Sequence, residues 1–174
     1  SLEAACRRSF PSPWVSFTKL SGLSALFPKS PLFARYNLTF LSEDESYEVD
    51  AISGSFMMLR RAVYDAIGGL DETYFMYGED LDWCYRTQKA GWKLFYVHDT
   101  KIIHYGGEST KRSSIDAHAE FYRAMQVFAR KNLGLSGFGL AAISIGIRIR
   151  LAIARSRRMV GRAGPLLFDA LTTI

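Results

Sequence analysis

The apolar positions of this chain change period along its length, and each change marks an element. Between Glu79 and Ala90, residues Leu81, Cys84, Tyr85 and Gln88 fall on one stripe at helical spacing, and Gly91 closes the run. A shorter helix is predicted over Arg61–Ile67, stopped by the glycine pair Gly68-Gly69. Before it, Tyr47–Arg60 reads as two extended pieces broken at Ser53-Gly54-Ser55, with Phe56-Met57-Met58-Leu59 a buried strand and both methionines in the core. Leu70–Tyr77 is an aromatic loop. Lys93–Val97 and Lys101–His104 read as short strands, and Tyr105–Thr110 as a turn. An amphipathic helix is expected over Ser114–Asn132, capped by Ser114 and ended near Gly134. Strands and helices therefore mix, and the fold class is α/β.

The two ends differ from this middle. Residues 1–46 hold four prolines among Ser and Phe, which predicts irregular structure with one short helix near Phe17–Leu23. Apolar residues are too frequent there for a free linker, so the stretch is expected to lie against a partner surface. It carries no signal-peptide pattern, and its start on Ser1 suggests that something has been cut away. From Leu133 to Ile147 the chain is apolar and then turns basic, which is short of the roughly 20 residues a bilayer span needs. Such a segment suits the interface of an anionic membrane, where each arginine contributes on the order of 1 kcal/mol. A solvated helix docked on its own domain is the plainer alternative. The expected division is residues 1–132 as a folded unit and 133–174 as an apolar and basic helical tail.

Charge sharpens that division. The net charge is +5, and removing Arg148, Arg150, Arg155, Arg157, Arg158 and Arg162 leaves the rest of the chain at −1. The body is thus no nucleic-acid binder by charge, and the basic signal belongs to the tail. Length and a 48% hydrophobic content suffice for one domain with a core. Cys6 and Cys84 lie far apart without metal-ligand spacing, and Cys84 falls inside the central helix. A reduced, buried thiol is expected, pointing to a cytosolic compartment.

Candidate chemistry centres on Glu79, Asp80 and Asp82, three carboxylates in the first turn of the central helix. The helix dipole favours acids there, whatever else they do. The same placement suits a general base, because the helix aims the group and neighbouring acids raise its proton affinity. Capping and catalysis both remain open on this pattern alone. Asp82 and Arg86 at i,i+4 read as a surface pair worth a few tenths of a kcal/mol. Gly54 after a strand can mark a bulge, and His104 before a glycine pair can be a hydrogen-bonded structural residue. Trp83 and Trp92 could stack on a flat or ring-shaped ligand, although core packing is the simpler role.

Taken in order, these features resemble the family-2 glycosyltransferases of GT-A fold, in particular the rhamnosyltransferase-like members. The likeness runs through Val49–Arg61, with its Ser53-Gly54-Ser55, and through Gly68–Arg86, with Tyr77-Gly78-Glu79-Asp80-Leu81-Asp82. It ends with Ala90-Gly91-Trp92-Lys93 and Ile103–Ser109, while Arg35-Tyr36 and Phe27-Pro28 also fit. The resemblance implies inverting transfer of a sugar, rhamnose by overall likeness, from a nucleotide-diphosphate donor to a saccharide or polyprenyl-linked acceptor in cell-surface polysaccharide synthesis. It implies Asp80 as base, Glu79 orienting acceptor or helix start, and Ser53, Gly54, Ser55, Asp82, Trp83 and Arg86 as substrate-binding. It implies His104 at a divalent metal, Mg or Mn, or at the donor diphosphate, and an enzyme peripheral to the cytoplasmic face of the membrane. The family's Asp-x-Asp metal motif and nucleotide-binding strands have no counterpart here, and Glu43-Asp44-Glu45 reads as a surface turn. The chain therefore resembles the C-terminal, acceptor-side part of such an enzyme, expected to be inactive alone. The competing expectation is an inactive module of this fold that docks on membranes or a partner enzyme.

Overall fold

The computed structural model describes residues 2–3, 5–105 and 117–135, with positions 137, 141 and 145. The backbone of the site is a single extended run with one break. β2 (Tyr47–Val49) and β3 (Ala51–Ile52) are separated only by Asp50, whose carboxylate turns aside to accept a hydrogen bond from the Phe10 amide at 3.1 Å. β1 (Arg7–Arg8) pairs antiparallel with β3, setting Arg7 opposite Ile52 and Arg8 opposite Ala51. β4 (Leu94–Tyr96) pairs antiparallel with β2, setting Val49 opposite Leu94. The result is two small antiparallel ladders that share one strand run.

Helices cover this run. α1 (Pro13–Ser21) starts at Ser12, whose hydroxyl caps the Val15 amide, with proline at its first position. Gly22 separates it from α2 (Leu23–Leu26). The expected single helix is therefore two, starting four residues earlier. α3 (Arg61–Ile67) has the expected bounds, α4 (Glu79–Lys89) is the central helix, and α5 (Ala117–Asn132) returns across it. Ser114, the expected cap, and the 105–110 turn beyond Tyr105 lie outside the described residues, as does nearly all of the tail.

The core lies where α4 and α5 meet the strand run. Leu81, Cys84 and Phe128 are almost fully buried there with Val49, Ala51 and Leu94. Phe128 stands edge-on to Tyr85 at 5.6 Å and stacks with Phe10 at 6.2 Å. Gln88, on the same face of α4, donates to the Val49 carbonyl at 3.2 Å and so satisfies the strand where β2 breaks.

Two predicted strands do not form. Phe56–Leu59 and Lys101–His104 are irregular among the described residues, with Phe56 and Ile103 exposed and Met58 87% exposed. Of the two methionines, only Met57 packs against the core. An apolar run becomes a strand only with a partner ladder, and neither segment has one here.

Candidate active site at the start of the central helix

α4 begins at Gly78, which has φ +82° and no capping side chain. A Cβ at Gly78 would sit 3.1 Å from Ala124 of α5 and from the Tyr74 ring, so only glycine lets the loop turn tightly under α5. With no side-chain cap, the three acids of the first turn complement the exposed amides, and each then finds a different fate.

Asp80 faces the strand run. Its Oδ1 accepts from the Leu81 amide at 2.7 Å, within its own helix. Its Oδ2 accepts from Arg8 Nη2 at 2.6 Å and from the Gly54 amide at 3.0 Å. The pair is largely enclosed, with the two side chains 10% and 14% exposed. Three separate elements thus converge on one carboxylate: β1, the loop after β3, and the helix start. A Cβ at Gly54 would approach the Asp80 Cβ to 3.2 Å, so the absence of a side chain there is what allows the loop amide to reach the acid. Behind Arg8 stands Tyr36, a buried phenol whose pKa burial raises and the guanidinium lowers.

Glu79 is half-buried, and its Oε2 is enclosed without a hydrogen-bond partner among the described residues. Burial raises its pKa, with the neighbouring Asp80 charge adding to the rise and Arg8 opposing it.

Asp82 points the other way, into the protein. The expected surface pair is instead a buried one: Asp82 is fully enclosed and accepts from Arg86 Nε at 2.7 Å and from Asn132 Nδ2 at 2.7 Å. Tyr74 adds a phenol at 3.4 Å and Lys131 an ammonium at 3.5 Å. α5 crosses this face and excludes water from it, which i,i+4 spacing alone cannot predict. Arg86 is committed as well, donating to the carbonyls of Ile67 at 2.6 Å and Gly69 at 2.8 Å. Trp83 donates from its indole to the Gly68 carbonyl at 2.9 Å. Asp82, Trp83 and Arg86 therefore bind the α3–α4 connection.

Ser53 and Ser55 lie on the far side of Gly54, joined by a 3.0 Å hydroxyl contact. They line a cavity of about 590 Å³ with Glu3, Phe56, Ile102 and His104. His104 Nδ1 lies 2.9 Å from Glu3 Oε2 at its edge. The Gly54 amide thus meets the Asp80 carboxylate, while its neighbours Ser53 and Ser55 line the cavity with His104, a cavity to which Asp80 does not contribute. Among the described residues no three His, Cys, Asp or Glu side chains gather as a metal site. His104 and Glu3 supply two donors of suitable type, which is too few to hold a divalent cation by themselves.

The functional candidate that the sequence did not disclose is Arg8. Its position in β1 opposite Ala51 sets it beside Asp80, 72 residues away in sequence. A strand of two residues carries no periodic signal, and adjacent arginines near a terminus look like surface charge.

Comparison with known proteins bears on the family of the chain. Residues 25–122 match the model of a family described as glycosyltransferase like family 2. An N-acetylglucosaminyl-diphospho-decaprenol L-rhamnosyltransferase of Mycobacterium tuberculosis is 31% identical over 144 residues, covering 78% of this chain and 47% of that protein. Rhamnosyltransferase WbbL of Escherichia coli K12 is 40% identical over 72 residues, covering 40% of this chain and 27% of its own. A hexosyltransferase of low-salt glycan biosynthesis, Agl10 of Haloferax volcanii, is 27% identical over 88 residues, 47% of this chain and 29% of that one. The chain thus spans about half the length, or less, of the curated relatives it matches. No solved structure matches it. The family implies a GT-A α/β fold, with which the small ladders and covering helices are consistent, and on these grounds the chain belongs to the family-2 glycosyltransferases, as a rhamnosyltransferase-like member.

Proposed function

We propose that this chain is the acceptor-side part of an inverting glycosyltransferase, with Asp80 as the base that relieves the acceptor hydroxyl of its proton. In that reaction the acceptor oxygen attacks the anomeric carbon while the bond from that carbon to the nucleoside diphosphate breaks. One carboxylate on the acceptor side suffices, because the diphosphate departs without needing a proton when its charge is neutralised. The observation that carries this reading is the convergence of Arg8, the Gly54 amide and the helix start on Asp80. A carboxylate offers about four lone-pair sites, of which three are engaged, so one remains for a substrate hydroxyl. The three fixed bonds hold the acid in a single orientation, which is what proton transfer to a positioned group requires.

The substrate loop in this reading is Ser53-Gly54-Ser55, which touches the base through its own backbone. The donor is a nucleotide-linked sugar and the acceptor a saccharide on a polyprenyl carrier, by analogy with the carrier and sugar in the relatives' names. His104 and Glu3 would contribute to a divalent cation only with ligands from elsewhere. One part of the cavity wall is apolar and exposed, including Phe56, Met58, Phe95 and Val97. Such a surface suits contact with a nucleotide-binding half.

Asp80→Asn in the full-length enzyme tests the assignment. Turnover is expected to fall by about 10²- to 10⁴-fold with donor binding retained; unchanged turnover rejects Asp80 as the base. A second reading rests on the enclosed, unpartnered Oε2 of Glu79 and its raised pKa. If Glu79 is the base, Glu79→Gln removes turnover and Asp80→Asn spares it. The acid limb of the pH profile then lies above the ordinary glutamate range, since a base works only once deprotonated.

A further inference from the structure

We infer that α1, α2 and the loop that follows them form a docking surface for an anionic lipid bilayer, separate from the basic tail. The surface is a connected aromatic cluster turned outward. Trp14 contacts Phe17 at 5.8 Å and Phe33 at 6.2 Å, and Phe27 contacts Phe33 at 5.4 Å. Leu26 and Leu32 complete it at 70% and 57% exposure. The Trp14 indole donates to the Leu32 carbonyl at 3.1 Å, so the loop is fastened to the helix and the cluster is pre-formed. A large apolar patch on a fixed scaffold marks a contact surface.

Charge decides the occupant. From Ser9 through Ser42 the chain has Lys19, Lys29 and Arg35 and not one acid. Lys29 and Arg35 are exposed, whereas Lys19 donates to the Asn37 side chain in the groove on the other face of α1. Aromatic rings with a polar edge and cations beside them are the composition of an interfacial segment, whose rings enter the headgroup boundary while the cations meet anionic lipid. A protein partner would need acidic groups to match, whereas a bilayer supplies them everywhere. The inner side of α1 offers a second link: Ser16 and Leu20 share an apolar groove of about 300 Å³ with Leu133 and Leu135, where the apolar and basic stretch begins. The patch and the start of that stretch are therefore neighbours on the surface.

The test places an environment-sensitive nitrobenzoxadiazole label on Leu26→Cys in the whole 174-residue chain with Cys6→Ser. Cys84 is fully buried with its thiol pKa pushed up to about 11, so it stays unlabelled at neutral pH. Vesicles of phosphatidylglycerol and phosphatidylcholine in equal parts should shift the emission to the blue and raise it several-fold, while phosphatidylcholine alone should not. Lys29→Gln with Arg35→Gln should weaken vesicle affinity on the order of tenfold, since both cations are exposed. Phe17→Gln with Leu32→Gln should abolish the shift while the thermal melt stays cooperative, since both side chains are more than half exposed. Binding that leaves the label in water shows that the tail alone holds the membrane and overturns the inference. A shift without vesicles that grows with protein concentration identifies a second copy as the occupant and overturns it equally. No sugar transfer is read, so the assignment of Asp80 can fail while this surface stands.

Discussion

Asp80 and Asp82 are two residues apart and have opposite environments, and the difference sets what each can do. Asp82 is enclosed among Arg86, Asn132, Tyr74 and Lys131, and its removal leaves buried donors without an acceptor. Asp82→Ala is expected to destabilise the protein by about 3–5 kcal/mol, read as a lowered midpoint in urea at unchanged slope. Glu79 gives a different signature. Its pKa is raised in the folded protein, so between the ordinary glutamate range and the raised value the folded form binds more protons than the unfolded form. Stability then falls as pH rises through that window. Glu79→Gln removes the titration, so wild type should lose stability relative to this variant as pH goes from about 4 to 7, measured by melting both across that range. An unchanging difference would mean that Glu79 meets the same surroundings folded and unfolded.

Elements bring these residues together through backbone more than through side chains. Gly54→Ala puts a methyl group 3.2 Å from the Asp80 Cβ and pushes the loop away from the carboxylate. A loss of about 1–3 kcal/mol is expected, with turnover reduced more than substrate affinity; wild-type kinetics in that variant would show that the loop amide has no part in the reaction. The sequence discloses helices well here. α3 has its predicted limits and α4 ends one residue early, because each has a periodic face and a glycine stop. It discloses strands poorly. β1 and β3 are two residues each, shorter than one alternation of the pleat, and Phe56–Leu59 is apolar without a ladder to join. The site shows the same split. Glu79, Asp80 and Gly54 stand out in a linear reading, because a helix start and a glycine break leave marks in sequence. Arg8 and the burial of Asp82 depend on β1 and α5 arriving from far along the chain, and local spacing holds no trace of that.

In the whole molecule, the exposed apolar wall around Ser53, Ser55 and His104 indicates a surface built to be covered. The chain by itself is expected to bind a nucleotide sugar weakly and to turn over little, whereas an enzyme extended by a nucleotide-binding half should do both. Calorimetric titration of donor into each form checks this, and robust transfer by the 174-residue chain alone would refute it. No helix among the described residues is long and apolar enough to cross a membrane. The last turn of α5 is bound to α4 at both ends of a short span: Lys131 bridges Asp71 and Asp82, and the Tyr85 phenol donates to the Asn132 carbonyl at 2.7 Å. That clamp makes α5 a rigid lever on the helix that carries Asp80. If Asp80 is the base, an anchor that gripped the chain beyond Asn132 would bear on the carboxylate through that clamp and act as a gauge, admitting acceptors whose reactive hydroxyl stands at one distance from the surface.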